Sequence, residues 1–212
     1  MVFLIAFATF CSTMLGGSFA IRLKDQLHLI LGFSAGAVIG VAFFDLMPEA
    51  LELGVESHEI STMVAVVALG FLTYLALDRL VVQHRHDEDV PAVRGRAGAS
   101  TLSFHSFLDG VGIGFAFQVS AAIGLIVAAA VLAHDFSDGI NTVNFILKNG
   151  GSKRQAFQWL LVDAIAPVVG VTFTLFFHVS EQSLGLILAL FAGFFLYIGA
   201  SDLIPESHHA HP

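Results

Sequence analysis

The sequence predicts an all-α, polytopic membrane helix bundle of about seven transmembrane helices, and three observations carry that prediction. Of 212 residues, 56% are hydrophobic and only 12% charged, where soluble domains carry about 25% charged residues. Mean hydropathy is +0.83. Seven apolar runs, each near the roughly 20 residues that span a hydrocarbon core, fill most of the chain. They are continuous and rich in Leu, Ala, Val and Phe, which suits helices that satisfy their own backbone in lipid rather than the short alternating strands of a barrel.

The first run, 2–21, has no basic residue ahead of it and is followed by Arg22 and Lys24. A signal peptide carries its charge on the other flank, so this run is expected to be a permanent helix. The remaining runs are 28–48, 60–82, 100–118, 121–147, 155–178 and 183–204. Basic residues set their orientation. Arg22 and Lys24 follow run 1; Arg79, Arg85, Arg94 and Arg96 surround the connection between runs 3 and 4; Lys148, Lys153 and Arg154 lie between runs 5 and 6. All nine fall on one side, which the positive-inside rule makes cytoplasmic, leaving the N-terminus outside. The opposite side is expected to carry Glu49, Glu52, Glu56, His58 and Glu59 in one loop and Glu181 in another, either as a cation-gathering mouth or as ordinary solvated loops.

The segment 83–100 is expected to be a polar cytoplasmic loop containing His84, Arg85, His86, Asp87, Glu88 and Asp89, with a solvated connector weighed above a mobile metal-collecting loop. The same reading covers His208, His209 and His211. A formal charge of −8 argues against a nucleic-acid partner. The single cysteine, Cys11, excludes an internal disulfide and a Cys-based metal cluster within one chain. The whole of 1–212 reads as one transmembrane domain whose surroundings are the lipid bilayer.

Runs 4 and 5 hold polar residues that an apolar span should not contain. Run 4 includes His105-Ser106-Phe107-Leu108-Asp109-Gly110, and run 5 includes His134-Asp135-Phe136-Ser137-Asp138-Gly139. His105 with Asp109, and His134 with Asp138, are four residues apart, so each pair shares one helix face. The connection 118–122 is short enough to make the two helices antiparallel neighbours. Ionisable groups at that depth cost roughly 2.5 to 3.5 kcal/mol each on insertion scales, about 10 kcal/mol for Asp109, Asp135, Asp138 and Asp163 together. No Lys or Arg lies within these spans to offset it, so protonation, water or a bound cation must compensate. Imidazole nitrogen and carboxylate oxygen without thiolate suit first-row divalent ions. The residues expected to converge on such an ion are His105, Asp109, His134, Asp135 and Asp138, with no organic cofactor. Gly32, Gly36 and Gly40, Gly110 and Gly114, and Gly193 are expected to allow close helix packing, while Pro167 interrupts run 6 one turn from Asp163.

The chain also repeats itself. Leu31 to Gly40 leads into Asp45-Leu46-Met47-Pro48-Glu49, and Phe191 to Gly199 leads into Asp202-Leu203-Ile204-Pro205-Glu206. Charge topology makes these copies antiparallel, and inverted repeats around a polar site mark transporters.

His105-Ser106-x-x-Asp109-Gly110 with Ile113-Gly114-x-Ala116-Phe117, and His134-Asp135-x-x-Asp138-Gly139, resemble the two metal-binding signatures of the ZIP (Zrt/Irt-like) family of divalent-metal transporters. The likeness is to the bacterial type and covers nearly the whole chain. It implies a 3+2+3 arrangement from which this chain lacks the eighth helix, and a main site of His105, Asp109 and Asp138 with Ser106 and Asp135 at an adjacent second site. Ser106 stands where the family more usually has Asn, and Ala166 precedes Pro167 where some relatives have Glu; Asp163 either substitutes for that Glu or serves helix packing. The resulting expectation is transport of a divalent cation, zinc foremost with iron, manganese or cadmium as alternatives, toward the cytoplasm across a bacterial inner membrane, with a homodimer as candidate assembly. The competing class is an intramembrane zinc hydrolase of seven helices, disfavoured by the inverted repeat and the lack of a three-His open zinc site; a metal-sensing or structural subunit is the third.

Overall fold

The computed structural model describes residues 1–20, 27–86, 91–177 and 179–205, and the described residues are helical apart from short turns. Seven helices follow in order: α1 (Val2–Ala20), α2 (Leu27–Val41, a π turn Ala42–Leu46, then Met47–Gly54), α3 (Ile60–His86), α4 (Pro91–Val119), α5 (Ala121–Lys148), α6 (Lys153–Thr174) and α7 (Glu181–Tyr197 with a π turn Ile198–Leu203). Arg22, Lys24, Asp87, Glu88, Asp89, Glu206, His208, His209 and His211 lie outside the described residues.

Among the described residues, five stretches are long and apolar enough to cross a membrane: Val2–Ala20, Ile60–Leu77, Ala121–Lys148, Lys153–Thr174 and Ser183–Ser201. The other two expected spans are helical as well but differ in make-up. The π turn divides α2 into pieces of 15 and 8 residues, and α4 carries Arg94, Arg96, His105 and Asp109.

Local chemistry places the breaks. Ser120 is the one residue between α4 and α5; its extended backbone and its hydroxyl, which accepts from the Ile123 N–H at 3.1 Å, start α5 and turn the chain back on itself. Gly150, at φ +79°, supplies the left-handed residue after α5. Ser152 and Gln155 form a reciprocal capping box at the start of α6. At its other end, Gln118 of α4 donates to the carbonyls of Thr174 (2.8 Å) and Phe177 (2.9 Å), satisfying acceptors that the helix terminus leaves open.

Two expected loops are shorter than the sequence suggested. The polar segment 83–100 is helical wherever it is described, because α3 runs through His86 and α4 begins at Pro91. Proline is well placed in a first helical turn, where its missing N–H costs nothing. Glu49 and Glu52 sit on the last section of α2 rather than in a loop. That section is amphipathic: Leu46, Ala50 and Gly54 are buried at helical spacing, and Glu52 is exposed.

The helices form two groups. In one, α1, α4, α5 and α6 pack on each other; in the other, α7 packs on α2 and α3. Backbones touch at reciprocal glycines. A Cβ on Gly110 would strike the Pro167 carbonyl and one on Gly170 the Phe107 carbonyl; Gly16 and Gly139 play these roles between α1 and α5, and Gly70 and Gly193 between α3 and α7. Gly36 and Gly40 depart from the expected packing: no heavy atom of the described residues lies within 4 Å of a Cβ placed there.

The repeat is visible as structure. Each copy holds a π turn ending just before its proline, at Leu46 ahead of Pro48 and at Leu203 ahead of Pro205. Proline cannot donate to the carbonyl four residues back and its ring crowds it; an extra residue in the preceding turn relieves both. The two helices run antiparallel, since Gly199 meets Ala35 and Ile39 at one end while Gly185 meets Ala50 and Gly54 at the other.

Candidate metal centre

The helical hairpin α4–α5 brings together side chains 25 or more residues apart in sequence. His105 Nε2 lies 3.2 Å from Asp109 Oδ2 and 3.7 Å from Asp138 Oδ2; His134 Nε2 lies 3.3 Å and 3.7 Å from the same two oxygens. One ligand atom from each of the four residues falls within 4.8 Å of every other, and all four residues are buried. The i to i+4 spacing does the work within each helix, and the tight turn at Ser120 aligns the two faces.

The chemistry of this cluster calls for a positive charge. His134 Nδ1–H donates to the Ala130 carbonyl at 2.9 Å, which leaves the lone pair of Nε2 in the cluster when the ring is neutral. A lone pair aimed at two carboxylates is unfavourable unless protons or a cation stand between them. Tetrahedral zinc bound by His and Asp at about 2.0 to 2.2 Å separates neighbouring ligand atoms by roughly 3.3 Å, and the four His–Asp separations of 3.2 to 3.7 Å lie close to that value.

Aromatic side chains from the other helix group close the cluster. Tyr74 of α3 meets the His105 ring edge-on at 5.6 Å between centroids, and Phe195 of α7 meets the His134 ring at 5.4 Å. Neither was among the residues read from the sequence. Nothing in the motifs marks them, since aromatic residues are common throughout the chain and only packing selects these two.

The remaining candidates are not among the four. Asp135 is fully buried, and neither of its carboxylate oxygens has a hydrogen-bond partner. Ser106 donates through Oγ to Asp163 Oδ1 at 2.8 Å, and Thr142 donates through Oγ1 to Asp163 Oδ2 at 2.9 Å. Thr142 was also missed; its place one turn after Asp138 was the available signal.

A buried cluster of imidazole and carboxylate inside a bundle of apolar helices defines an integral membrane protein with the ligand set for a divalent cation. Residues 92–212, more than half of the chain, match the family model described as ZIP Zinc transporter, and the chain belongs to that family. It is similar to the zinc transporter ZupT of Corynebacterium aurimucosum, with 26% identity over 219 residues covering 92% of this chain and 83% of that protein. It is 25% identical to the zinc transporter ZIP13 of Pongo abelii over 193 residues, 85% of this chain and 58% of that one. It is 36% identical to human zinc transporter ZIP4 over 101 residues, 48% and 16% respectively. The chain thus spans little more than half of ZIP13 and a small part of ZIP4.

Proposed function

We propose that this protein moves a divalent metal cation, zinc foremost with iron, manganese or cadmium as alternatives, across a bacterial inner membrane toward the cytoplasm. The observation that carries this reading is the convergence of four buried acceptor atoms, from His105, Asp109, His134 and Asp138, within 4.8 Å. Those residues hold the ion midway through the membrane, and Asp135, buried beside them without a partner, and Ser106 belong to an adjacent second position. The antiparallel pairing of α2 with α7 supports a mechanism in which one helix group moves against the other and exposes the site alternately. The basic residues support an external N-terminus and a cytoplasmic 83–100 segment. Family membership and similarity to zinc transporters favour transport over the hydrolase alternative.

Uptake of labelled zinc into proteoliposomes tests the reading. Wild-type protein is expected to load the vesicles and Asp109→Ala is not. Equal uptake by both would remove Asp109 from the site, and no uptake by wild type alongside amide or ester turnover would restore the hydrolase.

A further inference from the structure

Asp163 is the one acidic residue of α6, a helix that contributes nothing to the four-residue cluster. Its carboxylate is nevertheless fully buried and accepts on both oxygens: Ser106 of α4 donates to one at 2.8 Å and Thr142 of α5 to the other at 2.9 Å. Those donors are not arbitrary neighbours. Ser106 follows His105 directly, and Thr142 lies one helical turn beyond Asp138, so each sits next to a cluster residue on its own helix. Backbone contact between α4 and α6 at Gly110–Pro167 and at Gly170–Phe107 brings Asp163 close enough to reach both.

From this geometry we infer that Asp163 is a positioning residue for the metal cluster: it ties α4 to α5 through two hydroxyl donors and so sets the distance between the His105/Asp109 and His134/Asp138 faces. A carboxylate suits the task because it accepts from two helices at once, and an ionised acceptor makes stronger bonds than a neutral one. Each oxygen accepts from a hydroxyl on a different helix, so the carboxylate bridges α4 and α5, and its role is to hold the helices rather than the ion. This assignment rests on the transport reading above and chooses between the two roles that the sequence left open for Asp163.

The test uses the full chain, with zinc titration in detergent for affinity and stoichiometry, and zinc uptake in proteoliposomes for KM and turnover. Asp163→Ala is expected to raise the zinc KM about tenfold or more, the range seen when groups that orient metal ligands are lost, with the number of bound zinc ions unchanged. Asp163→Asn is expected to stay within about threefold of wild type, because the amide oxygen accepts from one hydroxyl and the amide N–H donates to the other. Thr142→Val, which removes one bond and keeps the shape, is expected to raise KM severalfold and serves if Asp163→Ala does not fold. Loss of a bound zinc, or an equal rise in KM, in Asp163→Asn would make Asp163 a direct ligand and overturn the assignment. An unchanged KM in both Asp163→Ala and Thr142→Val would overturn it as well. Asp109→Ala run in parallel separates the two readings: if that variant transports normally, the cluster itself fails, whatever Asp163 does.

Discussion

The two helix groups solve the problem of packing in lipid by different means. In α1, α4, α5 and α6, polar side chains are buried and paired across helices, as in the Ser106–Asp163–Thr142 bridge. In α2, α3 and α7 the contacts are largely apolar and aromatic: Tyr74 packs against Phe194 and Tyr197, and Phe71 against Tyr197. Both groups use reciprocal glycines to bring backbones together, so small residues alone do not distinguish a site from a scaffold. What distinguishes the first group is a buried cluster of ionisable side chains, which an apolar bundle retains only where a ligand or a proton offsets its charge.

The repeat sharpens the comparison. Aligning Asp45 with Asp202 places Gly36 opposite Gly193. Gly193 is filled by the backbone of α3, with the Val67 carbonyl where a Cβ would go, whereas a Cβ on Gly36 meets nothing among the described residues within 4 Å. The same local sequence therefore has two packing environments, set by whether a neighbouring helix crosses it.

The largest expected effect is on the cluster. Asp109→Ala removes the oxygen nearest both imidazoles and should weaken zinc binding by more than about 100-fold, since loss of outer partners alone costs 10 to 100-fold; calorimetric titration reads it. Asp45→Ala, in the π turn of the other group, should leave that affinity within about threefold, and an equal loss would erase the distinction between site and scaffold. Acidification comes next. Binding requires ionised carboxylates and neutral imidazoles, so protons compete with zinc, and zinc affinity should fall on acidification. Zinc affinity that does not change on acidification would argue against proton-competed ligands at this site.

Packing predictions are smaller. Gly193→Leu should cost at least about 1–3 kcal/mol, because the α3 backbone cannot yield as a flexible side chain would. Gly36→Leu should stay within about 0.5 kcal/mol. Denaturant titration of the two variants measures the gap, and equal losses would mean that Gly36 is as enclosed as its counterpart.

The sequence by itself determined the class of fold, because apolar runs of membrane-spanning length leave a chain little choice but helices that satisfy their own backbone. It also determined the pairs His105/Asp109 and His134/Asp138, since helical periodicity puts residues four apart on one face, and the short link at Ser120 made the two faces neighbours. Ends of elements were less legible: 83–86, 91–100 and Glu49 to Glu52 have the composition of loops, yet they lie on α3, α4 and α2. Only tertiary structure decided which polar residues meet. Asp163 and Thr142 are 21 residues apart on different helices, and Tyr74 and Phe195 reach the cluster from the other group. Such contacts depend on how helices cross, and crossing is set by the glycines that a partner backbone fills, which the one-dimensional pattern does not distinguish from those it leaves open.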